Sequence, residues 1–137
     1  PEAASNNNFW KYFPYGGEIV RVFANGSSAA NPDPSYSFDK KLVFTLSTFT
    51  DEFVAASHQH GDAGIIGHMT ASATTLSADS GGGNYQHRAL YNFSSSTITG
   101  TMIIPAGQIA RLTVKGQGTG VGFSQLFLSV TYKMNLK

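Results

Sequence analysis

At 137 residues, with 12% charged residues, a formal net charge of +1 and no cysteine, the chain is sized for one domain. Its stability must come from packing or from association, without disulfides or thiolate metal sites. Nine basic residues scattered without a stripe argue against duplex nucleic acid as a partner. No apolar run approaches the roughly 20 residues that span a bilayer, which argues against membrane insertion.

The chain opens at Pro1 with neither Met nor an apolar leader, as a mature or excised fragment does. Residues 1–17 read as a lead-in. After Asn6-Asn7-Asn8 comes Phe9-Trp10-Lys11-Tyr12-Phe13-Pro14-Tyr15, with five aromatics in seven residues. This segment is expected to pack across the base of the domain. Trp10, Tyr12 and Tyr15 also offer rings, and Trp and Tyr a polar handle, for stacking on sugars.

Two-residue alternation dominates from there on, the signature of half-buried strands. Strands are predicted over Glu18 to Phe23, Lys41 to Phe49, Ile65 to Thr75, Arg88 to Phe93 and Thr97 to Ile104. Turn-rich stretches separate them: Asn25-Gly26-Ser27, Asn31-Pro32-Asp33-Pro34 and Ser80-Gly81-Gly82-Gly83-Asn84. Only Thr50 to Ser57 has room for a turn of helix. In Gln108 to Lys115, Ala110, Leu112 and Val114 face one way, and Ile109, Arg111, Thr113 and Lys115 the other. A glycine loop, Gly116 to Gly122, leads to the clearest alternation. There Leu126, Leu128, Val130, Tyr132 and Met134 share a face against Phe123, Gln125, Phe127, Ser129, Thr131 and Lys133. Seven or more short strands with such punctuation predict an all-β antiparallel sandwich or jelly roll in a single domain over 1–137.

Three segments carry candidate chemistry. In Ser57-His58-Gln59-His60-Gly61-Asp62 to His68, three of the four histidines fall within eleven residues. On a strand, both imidazoles of His58 and His60 would point the same way, as metal ligands or as side chains of a solvated turn. Tyr85-Gln86-His87-Arg88 follows a glycine-rich loop. Tyr85, His87 and Arg88 could there hold a sugar or a small carboxylate, for which Arg supplies a bidentate fork. Asn25-Gly26-Ser27 and Asn92-Phe93-Ser94 fit the glycosylation sequon. For catalysis there is little: Asp51 and Glu52 diverge on a strand, and no G-x-S-x-G elbow or phosphate-binding glycine spacing is present. The chain therefore reads as non-enzymatic.

Two jelly-roll families bear on these residues. His58-Gln59-His60 with Asp62, followed by Pro105-Ala106-Gly107, resembles the cupin motifs, which imply a small metal-dependent enzyme. However, Ala110 stands where that family's third histidine would follow. The segment Ile104 to Val114, a glycine loop, and Gly122-Phe123-Ser124-Gln125-Leu126-Phe127-Leu128 are similar to the closing strands of trimeric heads of the tumour-necrosis-factor and C1q type. The low charge, the Ser/Thr/Gly/Asn richness and the H-x-H unit resemble the phage members of this architecture, the knobs of tail needles and tail fibres.

That resemblance implies a homotrimer on a fibrous stalk, exposed outside the cell as part of the virion tail. It would contact a host cell-surface glycan or envelope component. It also implies Phe123 and Phe127 at the trimer interface, and a structural iron-like ion held on the trimer axis by His58 and His60 of each chain. A monomeric carbohydrate-binding module using Trp10 and the tyrosines is the remaining alternative.

Overall fold

The computed structural model describes residues 9–28, 41–50, 64–81, 84–94, 97–117 and 123–137. They form ten strands: β1 (Phe9–Phe13), β2 (Gly17–Ser28), β3 (Lys41–Phe49), β4 (Ile65–Ser72), β5 (Thr74–Gly81), β6 (Asn84–Phe93), β7 (Ile98–Gly100), β8 (Ile103–Ile104), β9 (Gln108–Gln117) and β10 (Phe123–Met134). One sheet runs β1-β9-β3-β4-β7 and the other β10-β2-β6-β5, with β8 also paired to β2. Every strand pair is antiparallel. The chain is an antiparallel β-sandwich, as its alternation requires.

Four of the pairs are nested in sequence: β2 with β10, β3 with β9, β4 with β7 and β5 with β6. Between the sheets, Val22, Ala24, Phe44, Leu46, Tyr91 and Ile104 are among the fully buried side chains of one shared core. Phe44 of the first sheet meets Phe93 of the second edge-on, with centroids 6.2 Å apart, a geometry that adds to the gain from burial. The alternation predicted for β9 and β10 holds on the core side. Ala110, Leu112 and Val114 are buried, and Leu126, Leu128, Val130 and Tyr132 pack against the core.

Several boundaries differ from the sequence reading. Asn25-Gly26-Ser27 is not a turn but the interior of β2, where Gly26 lies opposite both Leu126 and Ala89. Pairing on both sides overrides the local turn preference. The segment expected as one strand from Ile65 to Thr75 is two, since at Ala73 the chain crosses from the first sheet to the second. The span Thr97 to Ile104 also divides, into β7 and β8, after Gly100 with its φ of +80°. The aromatic segment is itself an edge strand, β1, paired with β9 from Phe9↔Leu112 to Phe13↔Gln108. Of the stretch considered for a helical turn, all but Thr50 lies outside the described residues.

At Gly67 the backbones approach so closely that an added Cβ would collide with the Thr101 carbonyl oxygen. Backbone, not a flexible side chain, fills that space. Gly67→Ala is therefore expected to destabilise the fold by about 1–3 kcal/mol, read from the midpoint of chemical unfolding.

Candidate binding surface

Antiparallel pairing sets residues of neighbouring strands side by side on one face, so the registers specify what each sheet presents outward. On the first sheet, Trp10 of β1 lies opposite Arg111 of β9, which lies opposite Ser47 of β3. The two inner members of this row are closed to solvent. Arg111 is 2% exposed and Ser47 0%, although the alternation of β9 places Arg111 on the polar side. Arg111 Nη2 donates to Ser47 Oγ at 3.1 Å. Its guanidinium lies 5.7 Å from the Trp10 ring centroid and 5.3 Å from that of Phe49, and the two rings are 5.9 Å apart. A guanidinium is planar and weakly hydrated, so aromatic faces accept it where an ammonium would fit poorly.

The neighbouring row runs Thr113, Thr45, His68, Thr99 across four strands. His68 Nδ1 and Thr45 Oγ1 are 3.0 Å apart, which gives the half-buried imidazole a partner within the sheet. Among the described residues, no group of three or more His, Cys, Asp or Glu side chains is gathered to hold a metal ion. His58, His60 and Asp62 lie outside the described residues.

The outer face of the second sheet is of a different kind. Ser27 lies opposite Arg88, Asn25 opposite Leu90, and Phe23 opposite Asn92, all between β2 and β6. Arg21, Asn25, Arg88 and Asn92 are exposed, while Phe23 and Leu90 are half-buried between them. Arg21 reaches over the Phe23 ring at 5.8 Å. On the next strand Phe127, opposite Asn25, is 69% exposed. Two arginines, two amides and two apolar side chains thus share a stiff surface on central strands.

The residues singled out from sequence are dispersed over the molecule. Trp10 is half-buried beneath its own cation and beside Phe49. Tyr12, 56% exposed, shares the outer face of the first sheet, and Tyr15, 47% exposed, lies in the turn between β1 and β2. Tyr85 and His87 lie on β6 in the same strand as Arg88, with Tyr85 opposite Ser80. Phe123 begins β10 opposite Ser28. Arg21, Asn25 and Asn92 were not singled out as ligand-binding residues, because their meeting on one face depends on the β2–β6 register.

A cleft of about 240 Å³ lies where β2 passes from β8 to β6, with Ile19, Met69, Ile98 and Met102 among its lining. Among the described residues, Glu18 is the one titratable side chain on its wall, and these residues offer no paired acid and base there. Among the described residues, no helix is long and apolar enough to cross a membrane. Comparisons with protein-family models, with curated proteins and with solved structures find no match.

Arg111→Ala removes the shared partner of Trp10, Phe49 and Ser47, and is expected to cost about 3 kcal/mol. Arg111→Lys should recover little, because the planar fork is lost. Trp10 is the single tryptophan, so a change in its emission spectrum in folded Arg111→Ala reports on this site directly.

Proposed function

We propose that the chain is a non-enzymatic attachment domain, the trimeric knob of a tailed-phage tail needle or tail fibre. The observation that carries this reading is the outer face of the second sheet. Arg21, Asn25, Arg88 and Asn92 stand exposed around Phe23 and Leu90 on two paired central strands. Apolar side chains can stack on the C–H faces of a sugar ring while amides and guanidinium groups bond its hydroxyls and carboxylates. A rigid sheet presents them with little ordering cost on binding.

A jelly-roll head is favoured by the nested order of the pairs, as a two-stranded ribbon folded over on itself gives. One departure is that β3 and β4 are neighbours in the same sheet. Three copies on one stalk would multiply weak individual contacts into stable attachment. The ligand class favoured by two flanking arginines is an acidic glycan of the host envelope. The axial ion at His58 and His60 belongs to the same proposal and rests on the spacing of those two residues.

The test is binding of the purified domain to an array of acidic and neutral surface glycans. Retention on acidic glycans is expected, falling at least tenfold in Arg88→Ala and in Arg21→Ala. Equal binding by wild type and both variants would remove this face from the reading. Light scattering behind a sizing column should give the mass of three chains, and a metal assay on that peak one ion per three chains.

A further inference from the structure

The two sheets end on the same flank in strands of unequal length. β1 closes the first sheet and β10 the second. The Phe13 and Tyr132 rings meet edge-on at 5.7 Å, and Lys11 Nζ lies 5.4 Å from the Tyr132 centroid. β1 covers β9 only from Gln108 to Leu112. Beyond that, among the described residues, β9 from Thr113 to Gln117 is paired on one side alone, with β3. Among the described residues, β10 is paired only with β2, from Phe123 to Met134.

Core-facing side chains come to the surface along this flank. Leu126, Leu128, Val130 and Tyr132 are only half-buried, whereas Ala24, Val22 and Ile19, opposite the last three, are 0–3% exposed. Phe9 is 48% exposed although it lies opposite Leu112, which is 2% exposed. Phe127, on the other face of β10, is 69% exposed. β10 thus has an apolar core-side face, carries the exposed Phe127 on a face that is polar at Ser129 and Thr131, and among the described residues has an open hydrogen-bonding edge.

Proteins that present an open edge to solvent guard it with lysine, proline or a bulge. Between Lys115 and Lys133 the sequence contains no charged residue and no proline. The register of β10 is regular from Gln125 to Thr131 and shifts only near its ends. From this we infer that the β1/β10 flank is the contact between copies of this chain, with β10 of one copy lying along β1 of the next. The inference rests on the trimeric reading above and specifies its surface.

The dimensions fit such a partner. Twelve residues of β10 extend about 40 Å, and two layers about 10 Å apart with their side chains present a flank about 20 Å wide. The product, about 800 Å² per copy, is what one partner contributes to a stable interface of standard size. Charge does not oppose it, since the whole chain carries a formal +1 and copies repel one another weakly. An acidic or basic partner would find no complementary charge from Phe123 to Tyr132.

The experiment compares four variants with wild type by light scattering behind a sizing column, each checked for a cooperative thermal transition. Phe127→Lys and Val130→Lys lie on the flank; Val20→Lys and Ile103→Lys place the same charge at exposed positions elsewhere (51% and 61%). The expected result is three chains for wild type and both controls, with association at least tenfold weaker in the flank variants. Three chains in all five proteins would overturn the flank and leave the trimer standing. One chain in wild type would overturn the trimer and the flank with it. Hydrogen exchange of the wild-type trimer gives a readout free of any folding defect. Protection of consecutive amides from Gln125 to Thr131 supports the contact, and free exchange at every second amide, as on an open edge, refutes it.

Discussion

The antiparallel register of β2 with β10 is the constraint on which the rest of the sandwich depends. It sets Met134 opposite Gly17 and Gln125 opposite Ser27, joining the first long strand to the last. Such closure is entropically costly and slow to form, because most of the chain must be gathered before the contact is rewarded. Once made, it fixes β2 as the spine of the second sheet, with β8 and then β6 along its other side. A one-residue slip would turn Val22 and Ala24 outward and Phe23 and Asn25 into the core. The same register thus determines both the packing and the chemistry of the outer face.

The two sheets treat polarity in opposite ways. On the first, Arg111 is withdrawn from water and answered by Ser47, Trp10 and Phe49. Burying a guanidinium is costly unless its donors and faces are met, so these side chains are committed to structure. On the second, Arg21, Arg88, Asn25 and Asn92 remain exposed. Aromatic and cationic residues occur on both, but the arginine of the first is buried and those of the second are exposed. This division directs attention away from Trp10, the most conspicuous aromatic in the sequence, and toward residues of ordinary appearance.

The sandwich class was legible because its signal is local. Alternation in 108–115 and 124–134 marks the core side of β9 and β10 without reference to any other strand, and glycine clusters mark several of the reversals. What was not legible depends on partners distant in sequence. Asn25-Gly26-Ser27 has the composition of a turn, and only pairing with β6 and β10 together makes it strand interior. Arg111 falls on the polar phase of its strand, and its burial follows from Trp10 and Phe49 being delivered by two other strands. The break at Ala73 has no compositional mark, since crossing between layers can be accomplished by one residue of any small type. For the candidate surface, Arg88 stands out in the sequence and Asn25 only as part of a sequon. That they face the same way on neighbouring strands is a property of the β2–β6 register.

At one end of the first sheet the Thr48 amide donates to the Gly64 carbonyl at 2.9 Å, just where β3 stops and β4 is about to start. This bond extends the β3–β4 ladder one step past Ser47↔Ile65, and a ladder tied at its end resists the fraying by which strand pairs open from their termini. Gly64 meets it with a φ of +74°, so the residue that turns the backbone into β4 also supplies the carbonyl that seals the end of β3.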